Sequence, residues 1–277
     1  MRVDAHQHFW RVDRGDYGWL TAESLPALYR DFLPEDLAPL IAAERVDKTV
    51  LVQAAPTVAE TEFLLGIADA TPFVAGVVGW VDLEAADAPA RIAHLAGNPK
   101  LLGLRPMLQD LSDDAWILRP GLTPAWAAMK AHGLRFDVLI FPRHLAYAMR
   151  FLAQHSDLPA VIDHGAKPFI ARGEIEPWAN DMREIGKNTP AFCKLSGLVT
   201  EAGSDWSVEK LKPYVDILIE AFGPRRLMWG SDWPVLTLAG SYESWCAAAR
   251  QLTAHLTADE RNQIFGDTAA RFYGIAP

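Results

Sequence analysis

The chain reads as an α/β protein folded into a closed (β/α)8 TIM barrel, and three observations carry that expectation. Eight short apolar, β-branched runs alternate with longer segments of helical period, the pattern of repeated βα units around a parallel sheet. The 277 residues contain no composition shift or low-complexity linker, and this length is ordinary for one such barrel. Polar side chains stand at the C-terminal ends of the runs, where this fold gathers its catalytic groups. A single domain spanning 1–277 is therefore expected.

The first run, Val3–His8, places Asp4, His6 and His8 on one side of an extended strand, because side chains alternate between faces. Phe9 to Phe32 follows as a long connection rich in rings, including Trp10, Tyr17, Trp19 and Tyr29. Such a segment is suited either to covering the mouth or to plugging it as core. A helix is predicted to begin near Pro34-Glu35-Asp36, where proline and acids suit a first turn. The next strands are Thr49–Gln53, Val74–Val81 with Asp82 just beyond, and Leu101–Arg105. Leu134–Ile140, Ala160–His164, Ala191–Leu195 with Lys194 inside it, and Leu227–Ser231 followed by Asp232 complete the set. The clearest helix is Val208–Phe222, where Leu211, Val215, Leu218, Ile219 and Phe222 recur at helical spacing. Ser207 supplies its N-cap and Gly223-Pro224 its break.

Composition narrows the function classes. Half the residues are hydrophobic and 22% are charged, the balance of a globular enzyme. A net charge of -9 with no basic block argues against an extended nucleic-acid surface. No apolar run approaches a membrane span, and no leader of charged and apolar regions opens the chain. Cys193 and Cys246 form no CxxC pair or disulfide framework, so a cytoplasmic setting is expected. The oligomeric state stays open, a homo-oligomer included.

Two imidazoles on one strand face, His6 and His8, can hold one divalent metal, with a carboxylate at a late strand end completing the site or taking a proton. The alternative is a hydrogen-bonded histidine pair in a polar barrel end. Arg105 either serves the site or pairs with a barrel-end acid such as Asp82. An amine within a buried strand, Lys194, is costly without a partner or a purpose. Asp4 either orients a histidine or makes a simple hydrogen bond at the barrel bottom. His94, His132, His144, His155 and His255 fall in helical or turn segments away from the mouth, and Cys193 should point into the barrel–helix layer as core.

The segments Asp4-Ala5-His6-Gln7-His8-Phe9-Trp10, Val52-Gln53-Ala54, Gly103-Leu104-Arg105, Asp163-His164-Gly165-Ala166-Lys167-Pro168, Lys194-Leu195-Ser196-Gly197-Leu198 and Gly230-Ser231-Asp232-Trp233-Pro234 run from end to end of the chain. On them the sequence resembles the amidohydrolase superfamily, in the branch that contains hydrolases of L-fuconolactone, L-rhamnonolactone and pyrone dicarboxylates. The chain departs from fuconolactonase-like sequences at Pro106, where many have histidine after the arginine. It also lacks the fourth-strand lysine that bridges two metals in binuclear members, since Lys194 lies on the seventh strand. The resemblance thus implies a mononuclear site, with zinc or manganese, or a metal-free one.

For a sugar-derived lactone, the resemblance implies Asp232 as general base for the attacking water. His6 and His8 would bind the metal, with His164 as third ligand or carbonyl contact and Asp232 completing the set. Arg105 and Lys194 would face ring hydroxyls, the carbonyl oxygen or the product carboxylate. Trp10 and Trp233 suit either stacking on the sugar or packing beside the site, and Gln53 and Gln109 suit reading hydroxyls. A hydrolase or decarboxylase of an aromatic-pathway acid and a sugar-lactone isomerase fit the same barrel.

Overall fold

In the computed structural model, which describes residues 1–276, eight parallel strands pair strictly in chain order. They are β1 (Val3–Gln7), β2 (Lys48–Val52), β3 (Val74–Gly79), β4 (Leu101–Leu104), β5 (Arg135–Val138), β6 (Ala160–Ile162), β7 (Phe192–Leu195) and β8 (Leu227–Trp229). The ring closes through the segment after β8. Asp232 donates its N–H to the His6 carbonyl at 2.8 Å, and His8 donates to the Trp233 carbonyl at 2.7 Å. The Asp4 carboxylate adds a side-chain clasp, accepting from the Ser231 N–H at 2.8 Å and the Tyr242 hydroxyl at 3.0 Å. The predicted (β/α)8 TIM barrel is the fold observed.

Several strands stop one or two residues short of their expected ends, and after β6 and β8 the backbone turns away from the ladder. His164 and Asp232 adopt left-handed conformations, φ 54° and 59°, which take them out of the ladder and turn them into the mouth. Helices follow the strands around the outside, among them Pro34–Glu44, Val58–Ala70 and the predicted Val208–Phe222. Ser207 caps the last of these, accepting from the Lys210 N–H at 3.2 Å. Alternate strand residues Val3, Ala5, Val50, Val52, Val78, Val161 and Met228 fill the barrel interior together with Phe272 and Tyr273. A second, larger core lies between strands and helices. Burying apolar surface in both layers is why the strands read as continuous apolar runs. Among the described residues no helix is long and apolar enough to cross a membrane.

Candidate active site

The imidazoles of His6 and His8 meet tip to tip at the barrel mouth, Nε2 to Nε2 at 3.2 Å, both buried. Asp232 Oδ1 lies 3.3 Å from His8 Nε2, 3.7 Å from His6 Nε2 and 3.8 Å from His164 Nε2. Strands one, six and eight thus bring three imidazoles around one carboxylate oxygen. His8 Nδ1 donates to the Val52 carbonyl at 2.8 Å, which leaves its Nε2 lone pair facing the others. His164 is braced through Nδ1 against Ser196 Oγ at 2.8 Å.

Beneath these groups lies a buried ionic layer. The Lys194 ammonium contacts Asp137 Oδ2 at 2.5 Å and Asp163 Oδ1 at 3.0 Å, and His6 Nδ1 at 3.1 Å. Tyr273 donates to Asp137 at 2.8 Å. Arg105 reaches Asp163 Oδ2 at 3.2 Å and forms a reciprocal clamp with Gln53, whose side-chain amide donates to the Arg105 carbonyl at 2.8 Å.

This layout sets the protonation states. Burial works against the charged form of Asp232, but His164, His8 and His6 outweigh it and hold the carboxyl below the usual range. Burial is opposed likewise at Asp163, where Lys194, His6 and Arg105 keep the carboxyl well down. Burial, then Lys194, lowers His6 strongly, and burial brings His164 down to about 4. The arrangement is therefore neutral His6 and His164 rings beside an ionised carboxylate, the state metal coordination requires.

The donors fit a single divalent ion. Zinc with N and O ligands near 2.0–2.1 Å implies ligand separations of about 3.3 Å in a tetrahedron, and the His6, His8 and Asp232 atoms lie at 3.2, 3.3 and 3.7 Å. Asp163 Oδ1 accepts no well-formed hydrogen bond and sits 3.5 Å from His6 Nδ1. The Lys194 ammonium, a donor only, stands 3.1 Å from the same nitrogen, so Asp163 and Lys194 together back the ring.

A cavity of about 230 Å³ opens onto these groups, small enough to suit a compact monocyclic ligand. His8, His164, Asp232 and Arg105 line it, joined by Gln109, Asp110 and Lys167 on the polar side and by Met107, Leu139 and Val235 on the apolar side. A larger groove, about 690 Å³, surrounds Arg2, Asp47 and Arg250 away from the imidazoles.

Other expected positions are revised. Lys194 is fully buried among acids and does not line the cavity, so a direct contact with substrate is not what the structure shows. Gln53 is spent on clamping Arg105. Trp10 is core, donating to the Arg30 carbonyl at 2.8 Å and packing against Phe32 and Trp19. Trp233 packs on Phe9 and Phe32. Trp19, by contrast, lines the cavity, tied to the Ala54 carbonyl at 2.7 Å. Asp4 closes the barrel seam and holds no imidazole, and Asp82 caps the Glu84 N–H at 3.0 Å. None of His94, His132, His144, His155 or His255 lines the cavity. Asp163, Lys167 and Ser196 stand in the sequence motifs with no role attached to them there, and Asp137 lies outside the motifs; an acid inside the apolar run Phe136-Asp137-Val138 is the available signal.

Comparison with known proteins agrees with this geometry. Residues 3–275 match the sequence profile of the family described as amidohydrolase. The chain is 50% identical over 279 residues to an L-fucono-1,5-lactonase of Burkholderia ambifaria, covering 99% of this chain and 96% of that one. It is 38% identical to an L-fucono-1,5-lactonase of Burkholderia multivorans, again over 99% and 96%. The crystal structure of an amidohydrolase from Burkholderia multivorans with bound zinc superposes with a TM-score of 0.94 at 38% identity, covering 100% of both chains. By profile, sequence and fold, the chain belongs to the amidohydrolase family.

Proposed function

We propose that this chain, acting as one unit over 1–277, hydrolyses a sugar-derived lactone of the L-fucono-1,5 type to its aldonic acid. The observation that carries the reading is the convergence of His6, His8 and His164 on the Asp232 carboxylate beside a small cavity. Its support from kinship is the identity to lactonases across essentially the whole chain.

In this reading Asp232 takes the proton of the attacking water as its oxygen bonds to the lactone carbonyl carbon. The bond from that carbon to the ring oxygen then breaks, and the same proton passes to the departing oxygen. Arg105, anchored on Asp163, offers a fixed guanidinium to the negative oxygen that develops. His164, neutral and braced by Ser196, orients the ester. His6, His8 and Asp232 would hold the divalent ion, zinc or manganese, with His164 as a further candidate ligand; when bound it would supply Lewis-acid polarisation and a more acidic water. Met107, Leu139 and Val235 give an apolar wall to the less hydroxylated side of a sugar ring. A cytoplasmic setting fits the two buried, unpaired cysteines.

Purified protein mixed with L-fucono-1,5-lactone in weak buffer should release one proton per turnover and form the open-chain acid. L-Rhamnono- and galactono-lactones belong in the same panel. Conversion of one lactone to another without acid release would identify an isomerase and overturn the hydrolase reading.

A further inference from the structure

Three cations stand in or under the cavity, and two of them are neutralised within the protein. Arg105 meets Asp163, and Lys194 meets both Asp137 and Asp163. The third, Lys167, lines the cavity and is half-buried. Its ammonium donates to a neutral acceptor, Gln109 Oε1, at 2.7 Å and lies 5.3 Å from the centre of the Phe141 ring. Among the described residues no carboxylate forms an ion pair with it. Glu201 feels its field, but burial dominates there and raises the Glu201 carboxyl. A partly desolvated ammonium served only by an amide and a ring face is a poor electrostatic bargain.

The backbone fixes where this ammonium sits. His164, Gly165, Ala166 and Lys167 follow one another at φ 54°, 56°, 60° and 51°. Such a left-handed run of mostly non-glycine residues is costly, and it sets His164 and Lys167 on the wall of one cavity. Gln109 is held in turn, its N–H donating to the Leu139 carbonyl at 3.1 Å.

We propose that Lys167, with the Gln109 amide beside it, is the carboxylate-binding subsite of the cavity and takes the acid group of the ring-opened product. This rests on the hydrolase reading above. The lactone is neutral and its product is an anion, so a cation with no internal counter-charge gains its partner only after the ring opens. The subsite therefore distinguishes product from substrate, and aldonates are the ligand class it selects.

The test pairs the inhibition constant of L-fuconate with KM for L-fucono-1,5-lactone in the parent, Lys167→Met and Lys167→Arg. Loss of a charge-assisted contact should raise the L-fuconate constant about 10- to 100-fold in Lys167→Met, while KM changes by less than about threefold. Lys167→Arg should recover most of the loss. Added salt should weaken L-fuconate in the parent but hardly in Lys167→Met. An unchanged L-fuconate constant would overturn the proposal, as would equal rises in KM and in that constant, the mark of a hydroxyl contact. Calorimetric titration of L-fuconate reads the subsite without turnover. A parent that binds L-fuconate through Lys167 yet opens no lactone would refute the activity alone.

Discussion

His164 and Asp232 stand on strands that do not neighbour each other, yet both leave their strands in the left-handed conformation, and Nε2 and Oδ1 come to 3.8 Å. Each is a non-glycine residue at positive φ, an unfavourable state that persists where surrounding contacts enforce it. These two strained positions turn functional side chains from the barrel wall into its mouth.

Asp232→Asn tests the base, with metal content measured beside turnover because Asp232 also belongs to the ligand group. Asparagine keeps the volume and tolerates positive φ better than other residues bearing a Cβ. The variant should fold normally by circular dichroism and lose about 10²-fold or more in turnover, once spontaneous lactone opening is subtracted. Activity within twofold of the parent would remove Asp232 from the proton transfer.

A methyl group at Gly197 would lie 2.6 Å from His164 Nδ1, on backbone at φ 66°. Gly197→Ala should displace the ring from Ser196 and cut turnover by at least about tenfold. Gly173→Ala provides the control, with φ 68° but open space around the added carbon. It should cost on the order of 1 kcal/mol of stability with turnover intact. Equal activities in the two variants would show that the position of His164 does not matter.

Removing the buried ammonium exposes what the ionic layer contributes. Lys194→Met leaves Asp137 facing Asp163 without their shared cation, and urea titration should show a loss of about 3–5 kcal/mol. Lys194→Met combined with Asp137→Leu should regain much of that. A double variant no better than the single one would mean that the two residues do not act as a pair.

The Glu60 carboxylate accepts the Ala54 and Ala55 N–H groups at 2.9 and 3.0 Å, behind the end of β2. Burial above all pushes its carboxyl up to about 7 from 4.5, against those two hydrogen bonds. A folded value above the unfolded one makes the contribution complete below the unfolded value and lost as pH rises through about 7. Glu60→Gln abolishes that titration, so the stability gap between parent and variant should narrow by roughly 2 kcal/mol from pH 5 to pH 8. A gap that widens over that range would reverse the sign of the linkage.

Metal content should not exceed about one equivalent of zinc or manganese per chain, since the two groups of possible ligands, His6–His8–Asp232 and His6–Asp163–His164, share His6. His8→Ala should lose the ion, and substitution of the exposed His94 should leave it in place. Two equivalents in the parent would call for a second ligand set.

The fold was legible because apolar runs ending in polar residues recur eight times, and the His6–His8 pair because alternation fixes the side of a strand. Alternation says nothing of depth. Lys194 faces inward as expected, but it lies a layer below the cavity, at the level of Asp137 on β5. Asp163 was overshadowed by His164 beside it. The turn that carries Lys167 was hidden because Ala166 and Lys167, residues with no preference for it, continue what Gly165 allows.

The seam between β1 and β8 has a consequence for biosynthesis. His6 and Asp232 are 226 positions apart, yet the Asp232 N–H bonds the His6 carbonyl. Until the last strand has emerged from the ribosome, the early histidines have neither their carboxylate nor the backbone partner that fixes them. Translation therefore delivers the amino-terminal ligands first and the group that makes them useful last. Completion of the ring and acquisition of the site are one event, and a chain cut short before Asp232 carries no partial version of it.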